Sequence, residues 1–94
     1  MIQSVLLSFL AGVFGANAIP HFVKGITKEP FPTPFGPSPV INLVSGWSMF
    51  VLSGFLGYGA HIGANLVPAL ASIAIGVLLM GLFHAWIGAF GKKA

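Results

Sequence analysis

"LVPALASIAIGVLLMGLFHAWIGAF", residues 66–90, contains no Lys, Arg, Asp or Glu, and its one ionisable side chain is His84. At about 1.5 Å per residue, a helix of this length spans the roughly 30 Å hydrocarbon core of a bilayer. A water-soluble fold could hide such a run only inside a large core, and a chain of 94 residues offers too little interior for that. The rest of the sequence points the same way. Hydrophobic residues make up 56% of the chain and charged residues only 5%, against about 25% in a typical soluble domain.

Two further apolar segments follow from this frame. One covers about residues 2–23, with Pro20 near its end, where a missing N–H is expected to kink or terminate the helix. It has no positively charged leader, so it reads as a retained span rather than a signal peptide. The other covers about 39–60, opened by Ser38 as N-cap and Pro39 at the first helical position. The third span is expected over about 67–90, with Asn65 as cap and Gly91 as its breaker. No ten-residue alternation suggests a barrel. The expected fold is therefore an all-α integral membrane protein, a single transmembrane domain over 1–94 with three helices in a compact bundle. A proline-rich loop, 24–38, joins helices one and two.

Lys24, Lys28, Lys92 and Lys93 all fall on one side of such a three-span chain. The positive-inside rule places the loop and the C-terminus in the cytoplasm and the N-terminus outside, in an inner or plasma membrane. Four scattered lysines form no basic stripe, so nucleic acid is not an expected partner. The expected partners are membrane lipids and either copies of this chain or another membrane subunit.

Small residues recur at helical spacing: Gly12 and Gly15 in the first span, Gly46, Ser53 and Gly57 in the second, Ser72, Gly76 and Gly88 in the third. In lipid, helices associate by close backbone approach at such positions, so these eight are the expected packing residues. "GANAIP" at 15–20 and "GANLVP" at 63–68 echo each other, but their flanks do not match, and a chain rich in Gly and Ala produces such matches by chance.

The chemistry available is narrow. The sequence has no cysteine, and its single carboxylate side chain, Glu29, lies in the loop. That removes thiol and paired-carboxylate catalysis, hard-cation cages and the usual carrier of proton-coupled transport. No catalytic residue and no metal site are expected, and the chain does not read as an enzyme. What remains is a candidate polar or substrate site at the cytoplasmic end, made of Asn17, His21, Asn42 and His84. Three readings are open for His84. It bonds a backbone carbonyl or Asn17 as helix glue, it titrates or touches a solute, or it ligates haem together with His21. The third needs both rings at one depth, and the helix register separates them. Otherwise no cofactor is expected. His61 reads as a solvated loop residue.

The stretch "KEPFPTPFGPSP", residues 28–39, is expected to form a stiff strap across the inner mouth, largely in extended polyproline backbone, with Phe31 and Phe35 dipping into the interface. Two function classes follow: a non-enzymatic structural, accessory or oligomer-forming membrane subunit, or an oligomeric transporter or channel for a small solute. In size and span number the chain resembles the sugar-transporting semiSWEET half-transporters, but their Pro-Gln hinge is absent. The small multidrug exporters, similar in length, have four spans and an embedded Glu, both missing here.

Overall fold

A computed structural model describes residues 1–87, and within them the chain forms three helices long and apolar enough to cross a membrane. Helix α1 is Ile2–Ile26, α2 is Pro39–Gly59 and α3 is Leu66–Leu82, continued by a π-helical turn over Phe83–Ile87. Gly88, Phe90, Gly91 and the two C-terminal lysines lie outside the described residues.

α1 runs one turn further than the sequence suggests. Pro20 sits inside it without ending it, because a proline removes a single amide from a ladder that the flanking apolar turns sustain. The end is set by a backbone lock after Ile26: Glu29 N–H donates to Lys24 O (2.9 Å) and Lys28 N–H to Gly25 O (3.2 Å). These are the paired bonds of a Schellman closure, with Lys28 in the left-handed position that glycine usually fills (φ 61°). The Thr27 hydroxyl donates to Val23 O at 2.8 Å, and Lys24 Nζ meets Glu29 Oε2 at 2.7 Å across the same turn.

α2 opens as its sequence predicts: Ser38 Oγ accepts from Ile41 N–H at 3.1 Å and Pro39 follows it. At the other end, residues 60–65 make a tight connection, with His61 left-handed (φ 50°) and Ile62–Asn65 in a 3₁₀ turn. Asn65 precedes α3 but does not cap it through its side chain, which instead donates to Ser4 Oγ on α1 at 3.0 Å. The two GAN echoes have different structures, the first wholly within α1 and the second split between the 3₁₀ turn and α3.

α1 is the central helix. α2 and α3 each pack along it and barely against one another. The share buried within the protein is 28% for the α1 span, against 17% and 11% for the spans of α3 and α2. Glycines permit the approach. A methyl group at Gly46 would come within 2.6 Å of Phe22 N, and one at Gly25 within 2.6 Å of Leu43 N. On the other side, methyl groups at Gly12 and Gly76 would run into the carbonyl oxygens of Ile73 and Phe9. Gly15 faces the Ser53 hydroxyl, which donates to Ala11 O at 2.7 Å. Ser72 is buried, but its hydroxyl bonds back to Pro68 O in its own helix. Gly57 packs no helix backbone: a methyl there would touch only Ile62 Cδ1, at 4.0 Å.

This geometry separates the glycines by consequence. Gly46→Ala and Gly76→Ala should each lower stability by about 1–3 kcal/mol, because a helix backbone must retreat. Gly54→Ala, with nothing within 4 Å of the added methyl, should be neutral or stabilising by up to about 1 kcal/mol. Unfolding in mixed micelles followed by circular dichroism measures the difference.

Candidate functional site

The half of the bundle next to the 27–38 loop is organised by a buried amide. Asn42 lies in the first turn of α2 and has no exposed surface. Its Nδ2 donates to Phe31 O (2.7 Å) and Ser38 O (3.0 Å), with Pro37 O at 3.3 Å. Three carbonyls around one end of the carboxamide fix which end carries the nitrogen. Its oxygen is therefore turned to α1, where it accepts from His21 Nδ1 at 2.7 Å. The tautomer of His21 follows: Nδ1 holds the proton and Nε2 is left with a lone pair in the neutral ring.

The loop is folded by the same contacts. Phe31 N–H donates to Pro37 O at 3.1 Å, closing the base of the segment. Inside it, Thr33–Gly36 is a β-turn with Pro34 second, closed by Gly36 N–H to Thr33 O at 3.1 Å. Gly36 has φ +119°, a value only glycine adopts readily. The Thr33 hydroxyl donates to Gly36 O (2.6 Å) and accepts from Phe35 N–H (3.0 Å). The loop thus departs from the extended polyproline backbone expected of five closely spaced prolines, because Thr33, Gly36 and Asn42 offer it internal hydrogen bonds. Its two aromatics also part company. Phe31 is buried with its ring edge-on to His21 (centroids 5.2 Å apart), whereas Phe35 is exposed.

Asn17 lies one turn before His21 on α1. Its Nδ2 donates to the Met49 sulfur on α2 at 3.0 Å, not to the carbonyl freed by Pro20. His84 stands in the π-turn after α3, where backbone pairing shifts from i−4 to i−5. Its Nδ1 donates to Met80 O at 3.0 Å, which sets the same tautomer as in His21 and again leaves Nε2 as the acceptor. Among the described residues neither Nε2 has a protein partner, and neither is a sealed, unpartnered atom.

Two cavities meet at these groups. One of 630 Å³ lies between α1, the loop and α2, walled by Ile41, Val44, Ser45 and Met49. The other, of 290 Å³, lies between α1, the loop and the end of α3, walled by Met80, Phe83 and His84. Asn17, His21 and Pro34 line both. So the cleft brings together Asn17, His21 and His84, while Asn42 stands behind His21 as the group that orients it. His61 lies at the opposite end, exposed. Both methionines of the spans, Met49 and Met80, line the cleft and were not singled out in the sequence. Neither was Gly25, although Ser4, Ala11, Ala18 and Gly25 recur every seven residues on α1. Among the described residues no cluster of three His, Cys, Asp or Glu side chains is placed to hold a metal ion.

No family model, curated protein or solved structure matches this chain.

Asn42→Leu preserves bulk but strips the donors from the loop carbonyls, at about 1–3 kcal/mol for each buried carbonyl left unpaired. The variant should be destabilised by at least about 2 kcal/mol and should gain trypsin cleavage after Lys28, read by mass spectrometry of the digested micellar protein. His21→Gln, which can still donate to Asn42 Oδ1, should leave the cleavage rate near that of the parent chain.

Proposed function

We propose that the protein is a non-enzymatic integral membrane protein of a cytoplasmic-type membrane that holds a small, weakly polar solute in the cleft at its inner end. The observation that carries this reading is the half-used state of the polar groups there. A histidine that serves only as glue between helices has its hydrogen-bonding capacity taken up by protein. His21 and His84 each commit one nitrogen to the protein, leave the other without a partner among the described residues, and line one shared cavity. Membrane residence is supported by the three apolar helices, and orientation by the placement of Lys24, Lys28, Lys92 and Lys93 in the sequence. The start of α1 is then outside, and the loop and the end of α3 are inside.

The outer half favours carriage by an assembly over conduction through one chain. Ser4, Ser8, Ala11, Ala60, Ala69 and Ser72 are all buried there, so the cleft has no wide continuation along α1. A transporter or channel built from this chain would require further copies or a partner subunit. The second reading, an accessory or oligomer-forming subunit, is favoured by α2, whose outward face carries exposed Trp47, Phe50 and Phe55. Haem is not part of the reading, since the space shared by the two rings is only 290 Å³, at the lower limit of small-molecule sites.

Two experiments test this. The natural chain has no cysteine, so Lys28→Cys and His61→Cys can be labelled without background. An impermeant maleimide should reach His61→Cys in intact cells and Lys28→Cys only in inverted vesicles; the reverse pattern overturns the orientation. Ser45→Phe should fill the larger cavity, lowering solute binding or flux about tenfold or more in a chain that still folds and assembles. An accessory role instead predicts unchanged partner association and no solute dependence.

A further inference from the structure

The polar inventory of the cleft is weighted toward acceptors. His21 Nδ1–H is spent on Asn42, His84 Nδ1–H on Met80 O, and one Asn17 amide proton on the Met49 sulfur. Each neutral ring then keeps an acceptor Nε2, and the Asn17 Oδ1 is a third acceptor. The Thr33 hydroxyl is occupied within its own turn, leaving Ser45 and Ser48 as the only uncommitted hydroxyls on the walls. Among the described residues no charged side chain lines either cavity, and Lys24 is paired with Glu29. The remaining wall is apolar, built from Phe35, Val40, Ile41, Val44 and Met49 in the larger cavity. Val40 and Val44 are themselves exposed, so this cavity opens sideways, toward where lipid would lie.

Among the described residues the walls carry no charged side chain, so neither an anion nor a cation finds an opposite charge there to offset its desolvation. Acceptors at the polar end and no charge on the walls fit a head that donates hydrogen bonds and is itself uncharged. The lateral apolar groove fits a tail. Resting on the solute-binding reading above, we propose that the ligand is an uncharged, hydroxyl- or phenol-headed amphiphile taken from the inner leaflet. Its O–H donates to Nε2 of His21 or His84, and its apolar body lies in the groove between α1, Pro34 and α2. The fixed tautomers are the mechanism of selection: by holding both Nδ1 protons on the protein, Asn42 and the Met80 carbonyl keep both Nε2 lone pairs presented.

The test uses the full chain in phosphatidylcholine nanodiscs with ¹⁵N-labelled histidine. Nε2 resonances are followed as decan-1-ol, decanoate, decyltrimethylammonium or decane is added. Decan-1-ol should shift the Nε2 signals of His21 or His84 saturably, with His61 as the unmoved internal reference. The other three decyl probes should not, and Ser45→Phe should raise the half-saturating decanol level about tenfold. Equal shifts with decanoate or the ammonium overturn the proposed class, as does decanol that moves neither signal in a chain with native circular dichroism. Glycerol and urea separate the two levels of inference. If either moves Nε2 where decanol fails, the amphiphile is wrong and solute binding stands; if no probe moves it, both fall.

Discussion

The carboxamide of Asn42 is the interaction on which the loop half of the protein depends. A loop rich in proline has few amides to donate and many carbonyls to satisfy, and in a lipid setting unpaired carbonyls cost several kcal/mol each. Asn42 meets that demand from within a helix. Its nitrogen supplies Phe31, Ser38 and the more distant Pro37, and this in turn forces its oxygen toward His21. One side chain therefore folds the loop, ties it to α2, links both to α1 and sets a histidine tautomer. Only a carboxamide does this, because it has two donors and an acceptor on opposite ends of a rigid plane. A carboxylate would face the carbonyls with the wrong polarity, and a hydroxyl has too few protons.

The rest of the bundle follows from the small residues of α1. In lipid, helices have no hydrophobic drive to associate, so for spans of this kind contact comes from dispersion at close range. α1 offers small side chains on two flanks, and each partner answers with a glycine where the approach is tightest: Gly46 against Phe22, Gly76 against Phe9. That arrangement uses α1 on two sides and leaves α2 and α3 with most of their surface unburied. Phe22 and Phe50 add an edge-to-face pair (5.5 Å) beside the α1–α2 contact.

How much of this was legible depended on the range of the interaction concerned. The three apolar segments and the Ser38–Pro39 start of α2 are local properties of length, hydropathy and capping, and the sequence displays them. Pro20 does not terminate α1, because a single missing hydrogen bond does not outweigh the turns on either side. The loop was misread because proline's preference for extended backbone is local, whereas the bonds that fold it come from Thr33, Gly36 and Asn42 acting together. Gly25 escaped notice because it falls past the expected end of the helix, although the seven-residue spacing from Ser4 would have located it. Asn17, His21 and His84 could be grouped by depth in the bundle. Which nitrogen each ring would present could not be read, since that rests on where a neighbouring helix puts a carbonyl or an amide.

The position of the cleft follows from unequal connections. At the end away from the loop only residues 60–65 separate α2 from α3, and Asn65 to Ser4 and Gln3 to Gly59 O (3.2 Å) bind that link to α1. The helices are held together there, and small residues are buried between them. At the loop end no covalent link joins α3 to α2. The loop over 27–38 serves α1 and α2 alone, and its Pro32 and Pro34 reach only the rim of the space beside α3. The close α3 approaches to α1 at Gly12–Ile73 and Gly76–Phe9 lie nearer the 60–65 connection than His84 does. Beyond them α3 changes to a π-turn, which offsets the following residues relative to an α-helix. A bundle tied at one end and propped by a folded loop at the other must open where the tie is weakest, and that is where Asn17, His21 and His84 stand. The polar residues and the opening share a location, and there an unpaired hydrogen-bonding group has space for a partner, whereas Ser8 Oγ, in the tightly packed half, is buried without one among the described residues.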